Sequence, residues 1–275
     1  MVCQDHQMAD VIHITDPEDP RLADYRAVRE RDLVGRQGAF IAEGVVVLEK
    51  LVRAGRHPLH SVLLAEKRVE ALGPLIDQLA ADVAVYAASQ AVMDRVVGFP
   101  INRGVLAAGA RANLEFEALL AGLPERALVL GLVGIANHDN MGGLLRNAAA
   151  FGVDAVLLDS DCCDPLYRKA IRVSVGAALT LPFARTGKAE AMVACLQAER
   201  FDVLALSPRG EIELADLEPG RRSAVLFGAE GPGLPPALMG QARTVRIEMA
   251  GGFDSLNVAT SCGIALHHIV LNQAR

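Results

Sequence analysis

Apolar and polar positions follow two different rhythms along this chain. Residues 1–20 are polar, show no period and end in DPEDP, which predicts a loose N-terminal arm. From Arg21 to Gly55 the pattern predicts two helices separated by GRQG at Gly35–Gly38. The second, VVVLEKLVRAG, places Val45, Leu48, Leu51 and Val52 on one face and stops at a glycine. Short apolar runs at Val62–Ala65, Val83–Ala87 and Gly104–Ala108 predict strands with helical stretches between them. Residues 21–111 therefore read as a small α/β domain, and 112–125 as a linking helix and turn.

Residues 126–275 alternate more regularly. Strands are expected at Leu128–Ile135, Ala155–Leu158, Val203–Leu206, Ala224–Phe227 and Val245–Met249. Helices are expected at Gly142–Phe151, Leu166–Arg172, Ala189–Ala198 and Ser255–Leu271. Strands alternating with helices imply an α/β fold with a parallel sheet covered on both faces. Such sheets bind ligands outside the carboxyl ends of their strands, so a site is expected after Ile135, Phe227 and Met249.

Composition narrows the class. Of 275 residues 52% are hydrophobic and 22% charged, enough for a sizeable core and against disorder. The longest apolar run, Ala127–Ala136, is about half of the roughly 20 residues a membrane span needs. The polar N-terminus shows no secretory signal, and the five cysteines show neither a disulfide framework nor a C-x-x-C zinc pair, so a reducing cytoplasm is expected. The net charge of −6 counts against nucleic acid when taken over the whole chain. Arginines nevertheless recur at Arg21, Arg26, Arg29, Arg31, Arg36, Arg53 and Arg56, while acids gather between Glu190 and Glu218. Because Asp24, Glu30 and Asp32 interleave, a solvated mixed-charge helix explains those arginines equally well.

Three segments at the expected strand ends carry candidate chemistry. The first runs from Asn137 to Leu158, where Asp139 or Asn140 is expected to cap a helix, Gly142-Gly143 permits close approach, and Arg146 follows near the helix start. An anion there would meet free N–H groups and a guanidinium fork, although from the residues alone an ordinary cap plus a surface arginine is the simpler reading. The second, LFGAEGPGL at Leu226–Leu234, is a glycine-rich loop after a strand. It lacks the Gly-Lys-Ser/Thr of a nucleotide-phosphate loop, and Glu230 would repel phosphate. The third runs from Ile247 to His268, with Asp254 or Ser255 expected as helix cap and Asn257 in the first turn. His267 and His268 point different ways on a helix and suggest a structural or interfacial role; no metal site is expected.

Together the three segments resemble the SpoU/TrmH-like family of knotted RNA ribose methyltransferases. The carriers are Asn140, Gly142 and Arg146 as N-x-G-x-x-x-R, Gly228-Ala229-Glu230-Gly231-Pro232-Gly233 as G-x-E-G-x-G, and Ser255-Leu256-Asn257-Val258 as S-L-N-V. Tyr167–Phe183 looks like the family's intervening segment, and FIAEG at Phe40–Gly44 looks like the start of its ribosomal-protein-like substrate-binding domain. Asn137-His138 stand where the family usually has Asp-Pro, and Cys262 and His267-His268 depart from its last helix.

The resemblance implies a trefoil-knotted C-terminal domain, a homodimer through that domain, and an active site that borrows residues across the interface. It implies S-adenosyl-L-methionine held by Gly228, Ile247, Met249 and Leu256, and RNA as the substrate, ribosomal favoured over transfer RNA. It names Arg146 for activating the ribose 2′-hydroxyl, with Asn140, Glu230, Ser255 and Asn257 orienting the groups. A free guanidine is costly because arginine pKa values exceed roughly 12, so Arg146 is expected to hold a phosphate and stabilise the forming alkoxide. Arg29 and Arg36 become candidate RNA contacts. Two alternatives remain at this point: a knotted RNA-binding module without methyl transfer, and a base-methylating enzyme of the same superfamily.

Overall fold

The computed structural model describes residues 10–26, 38–251 and 254–273. The first unit begins with β1 (Val11–Ile14), β2 (Ala39–Glu43), helix α1 (Val45–Ala54) and β3 (Leu59–Ala65). Helix α2 (Glu66–Ile76), β4 (Ala84–Ala88), α3 (Gln90–Val97) and β5 (Val105–Ala110) complete its continuous part. The strands form one mixed sheet in the order β1-β4-β3-β5-β2, with β2 and β3 antiparallel to β5 and the other pairs parallel.

Two expectations are corrected here. Residues 11–14 are a paired edge strand rather than part of a loose arm, and Asp19 caps a 3₁₀ turn at Pro20–Tyr25. That turn buries Leu22 and Tyr25 completely, and the Tyr25 hydroxyl bonds Ser61 at 2.7 Å. Four residues are too short a run for a period to show. The second of the two helices expected between Arg21 and Gly55 is preceded by a strand, β2, whose Phe40, Ile41 and Ala42 are all buried. A continuous apolar run of that length cannot be told from a buried helix turn by periodicity. The first of those helices falls largely on residues 27–37, outside the described residues, as do Arg29 and Arg36.

The second unit holds α4 (Phe116–Ala121), β6 (Ala127–Leu132), α5 (His138–Ala150) and β7 (Ala155–Leu158). After β7 the chain forms α6 (Arg168–Val173), and the whole stretch Leu166–Thr180 groups with the first unit instead. There Lys50 donates to the Val175 carbonyl at 2.8 Å and Arg56 to the Thr180 carbonyl at 3.2 Å. Gly176, at φ +79°, lies against Val47 and Lys50 where a side chain would crowd them. The chain then returns to the second unit as β8 (Phe183–Arg185), α7 (Ala189–Ala198), β9 (Asp202–Leu206) and β10 (Ile212–Glu213). It ends with β11 (Arg222–Phe227), α8 (Pro236–Met239), β12 (Arg243–Arg246) and α9 (Val258–Gln273).

All seven strands of this second sheet are parallel, in the order β10-β12-β9-β11-β6-β7-β8. The strands read as near-continuous apolar runs because both faces are covered. One core layer packs Val129, Leu157, Ala205 and Leu226 against Met192, Val193 and Leu196 of α7. Leu120 of α4 belongs to that core, so the expected linking helix is part of the second unit, which begins at Asn113. No described helix is long and apolar enough to cross a membrane.

Candidate active site

The neighbouring strands β6, β11, β9 and β12 all present their carboxyl ends on the same edge of the sheet. After β6 the chain is stitched down at once. Val133 N–H donates to the Phe227 carbonyl, and Gly134 N–H donates to both carboxylate oxygens of the buried Asp159 at 3.0 and 3.1 Å. Asp159 also accepts from the N–H groups of Asp161 and Cys162, so this first acid of the run Asp159–Asp164 serves backbone fixation. Burial pushes the Cys162 thiol up to about 12; it sits between Ile135 N–H and the Leu132 carbonyl as a neutral group.

This anchored loop delivers Asn137, whose Oδ1 accepts from the N–H groups of Asp139 and Asn140 at 2.7 and 3.3 Å. Asn137 is therefore the cap of α5, in place of the expected Asp139 or Asn140, because the helix starts about a turn earlier than its apolar face suggests. Asn140 then falls in the first turn with its side chain buried.

At the other end of the chain Asn257 caps α9. Its Oδ1 accepts from Ala259 and Thr260 N–H at 2.9 and 3.3 Å, so Asp254 and Ser255 are not the cap. That fixes the amide's orientation, leaving Nδ2 as the donor. Nδ2 donates to Asn140 Oδ1 at 3.0 Å and to Glu230 Oε1 at 3.3 Å. One amide thus holds together residues from three segments that are far apart in sequence.

Glu230 is aimed by a turn that only glycine permits. Gly233 N–H closes on the Ala229 carbonyl at 2.9 Å, with Gly231 and Gly233 at φ +87° and +70°. A Cβ on Gly228 would lie 2.3 Å from backbone atoms of Gly233 and Leu234. The turn borders a cavity of about 410 Å³ whose lining includes Gly228, Glu230, Ile247, Met249, Ser255, Leu256 and Asn257. Ile247 and Met249 reach it because β12 stops at Arg246, three residues short of the strand expected to end at Met249. The cavity is also lined by Leu206, Ser207 and Pro208 after β9 and by Ser261 of α9, none of them picked out from the sequence. The first three carry no glycine signature, but the carboxyl-end rule applied to every strand would have reached them.

Arg146 stands apart. It is six residues beyond Asn140 on α5, about 9 Å along the axis and roughly 240° around it. It is exposed, makes no hydrogen bond or ion pair with the described residues, and borders a shallow cleft with Asn147, Ala259, Gly263 and Ile264. There α5 and α9 touch closely: a Cβ on Gly143 would lie 2.8 Å from that of Ala259, and Asn147 Nδ2 donates to the Ala259 carbonyl at 2.5 Å. His267, exposed on α9, meets the Phe151 ring edge to face. Among the described residues no three His, Cys, Asp or Glu side chains converge as a metal site would need.

Comparison with known proteins decides the family. Residues 127–267, the stretch that contains β6 through most of α9, match the SpoU rRNA Methylase family. The chain belongs to that family. It is similar to a protein of Mycobacterium tuberculosis named as an uncharacterized tRNA/rRNA methyltransferase, 40% identical over 94% of this chain and 91% of that one. Among solved structures it resembles an RNA 2′-O ribose methyltransferase, with a TM-score of 0.76, 26% identity, and coverage of 96% of this chain and 99% of that one. The AdoMet-bound rRNA methyltransferase from Sinorhizobium meliloti shares the fold, with a TM-score of 0.82 at 22% identity over 94% and 97% of the two chains.

Proposed function

We propose that this family member transfers a methyl group from S-adenosyl-L-methionine to the 2′-hydroxyl of a ribose in structured RNA, ribosomal favoured over transfer RNA. The cavity at the strand ends carries the reading. Among its described lining residues Glu230 is the one charged side chain, and the rest of the wall is uncharged: apolar side chains, glycine backbone, and the neutral polar groups of Ser207, Ser255, Asn257 and Ser261. Such a lining suits a neutral nucleoside joined to a positive sulfonium and disfavours phosphate. Gly228, Ile247, Met249 and Leu256 would hold the cofactor, which supplies an activated methyl group when bound. The AdoMet-bound relative supports this use of the shared fold.

The chain's own residues then have to orient the ribose hydroxyl and stabilise the oxygen as its proton leaves. Asn140, Asn257 and Glu230 form one hydrogen-bonded set beside the cavity, and Ser255 lines it. Arg146 would grip the RNA phosphate next to the ribose with its planar fork. Its position around α5, away from Asn140, favours supply of that arginine by a second copy of the chain. The α9 surface bearing Thr260, Ile264, His267 and Leu271, spaced at helical repeats, is exposed and suits such a homodimer through the C-terminal domain. A trefoil knot around the loops after β11 and β12 belongs to this reading, as does a ribosomal-protein-like RNA-binding role for the first unit, with Arg29 and Arg36 among its contacts.

The test is transfer of label from methyl-labelled S-adenosyl-L-methionine to separated pools of unmodified ribosomal and transfer RNA, digested to nucleosides. A labelled 2′-O-methylnucleoside that disappears with Arg146→Ala is the expected result. A labelled base instead would establish base methylation, and cofactor binding without any transfer would favour a binding module.

A further inference from the structure

One end of the first unit's sheet carries four arginines, Arg68, Arg103, Arg168 and Arg172, of which Arg103 and Arg168 share the single buried carboxylate of Glu43. The loop from Gly98 to Gly104 crosses the ends of β2 and β3, tied by Gly44 N–H to the Val105 carbonyl at 3.0 Å and Ala65 N–H to the Gly104 carbonyl at 2.9 Å. Arg103 lies flat over Gly44, where a Cβ would come within 3.1 Å of its Cδ and Nη1. Arg68, exposed on α2, reaches Gly104 of the same loop, its Cγ 3.7 Å from the position a Cβ would take there.

The excursion Leu166–Thr180 extends this row. Arg168 donates to Glu43 Oε2 through Nε and Nη2 at 3.1 and 2.5 Å, and its guanidinium lies 4.8 Å over the Phe99 ring. Arg172 is exposed one turn further along α6, on the same side as Arg168. Glu43 is buried beneath the two arginines it meets, with Arg103 Nε 4.0 Å from its other oxygen. The nearby Glu66 faces His13 at 3.8 Å, and the stretch from Leu166 to Thr180 contains no Asp or Glu. An overall charge of −6 therefore hides a locally basic surface.

We propose that Arg68, Arg103, Arg168 and Arg172 form a phosphate-binding row that holds the RNA backbone against the first unit. A single phosphate would call for forks that converge; the exposed Arg68 and Arg172, with the half-exposed Arg103 and the partly buried Arg168, instead suit a backbone of repeating charges. Arg168 is held in place by Glu43 and Phe99, so part of the row is ordered before RNA arrives. The proposal takes the identity of the polyanion from the methyl-transfer reading and is tested by binding alone.

The experiment compares wild type with R68E/R172E, both exposed and outside the Glu43 pairs, by fluorescence anisotropy of a fluorescein-labelled, unmodified ribosomal RNA hairpin over a salt series. Affinity should fall roughly tenfold or more, and the slope of log affinity against log salt should become shallower by about 1.8, two phosphate contacts being lost. R68K/R172K should keep most of the binding, and R126E, on the second unit, should change neither quantity. S-adenosyl-L-methionine affinity, measured by calorimetry on each variant, should match wild type. Unchanged affinity and slope in R68E/R172E would overturn the row, as would an equal loss in R126E. RNA binding that depends on the row in a protein that transfers no methyl group would support the row while defeating the catalytic reading.

Discussion

The side-chain amide of Asn257 donates a 3.0 Å hydrogen bond to Oδ1 of Asn140, 117 residues earlier in the chain, while its own oxygen caps α9. Capping and site assembly therefore depend on opposite ends of one amide. Asn257→Asp keeps the cap oxygen and adds a charge that favours a helix start. It also removes the donor and sets a second carboxylate beside Glu230. The expected outcome is an unfolding midpoint within a few degrees of wild type and a rate of methyl transfer lower by roughly a hundredfold. Thermal unfolding and single-turnover transfer, measured side by side, check both halves.

Arg146 should behave in the opposite manner to a core residue. It is exposed and without a partner among the described residues, so Arg146→Ala should change stability by no more than about 0.5 kcal/mol while abolishing transfer. Arg146→Lys should recover little, because a point charge does not replace a fork. If the arginine acts on the other copy's site, mixing Arg146→Ala with Asn257→Asp and allowing subunits to exchange restores about a quarter of wild-type activity. Half of randomly mixed dimers then hold one intact site of two. No restoration in a mixture shown to exchange would place both residues in one copy's site.

The glycine turn that aims Glu230 offers a backbone test. In Gly228→Ala the new methyl would meet Gly233 and Leu234 backbone at 2.3 Å, contacts that no side-chain rotation relieves. S-adenosyl-L-methionine affinity should drop by roughly tenfold or more, since even a 1 Å shift of a positioning loop is costly. Calorimetric titration of the cofactor measures it directly.

His57 should confer a pH dependence on stability that is separate from the site. Its Nδ1 accepts from Ala112 N–H at 3.1 Å, and burial, aided by Arg56 and Arg111, lowers its pKa to about 4. The unfolded chain binds the proton more tightly, so this contribution is complete above about pH 6.5 and is lost as pH falls towards 4, at up to about 1.4 kcal/mol per pH unit. His57→Asn should flatten the denaturation midpoint across that interval; an unchanged slope would show that another group titrates there.

How much of this was legible in the chain depended on whether a feature was local. The Gly228–Gly233 turn and the strand before it were readable because glycine spacing and an apolar run encode them directly. The caps were misplaced by a few residues because Asn137, Asp139 and Asn140 are all competent to cap, and so are Asp254, Ser255 and Asn257. Leu206, Ser207 and Pro208 escaped notice because nothing in their chemistry marks them; only their place at the end of β9, next to β11, does.

By itself the sequence determined the α/β class, the strands β6, β7, β9, β11 and β12 and the residue types gathered at their ends, because side-chain period and glycine content act over a few residues, whereas the three- and two-residue strands β8 and β10 are too short to show a period. The tertiary structure decided which of those residues meet. Asn140, Glu230 and Asn257 converge because parallel strands put their carboxyl ends on one edge, whereas Arg146 is carried away by the helical turn that follows Asn140. It also decided that Leu166–Thr180 leaves the second unit for the first. Its apolar residues Ala170, Ile171, Ala177 and Leu179 would satisfy either core, and the charges of Lys50, Arg56 and Glu43 that hold it there lie more than a hundred residues away.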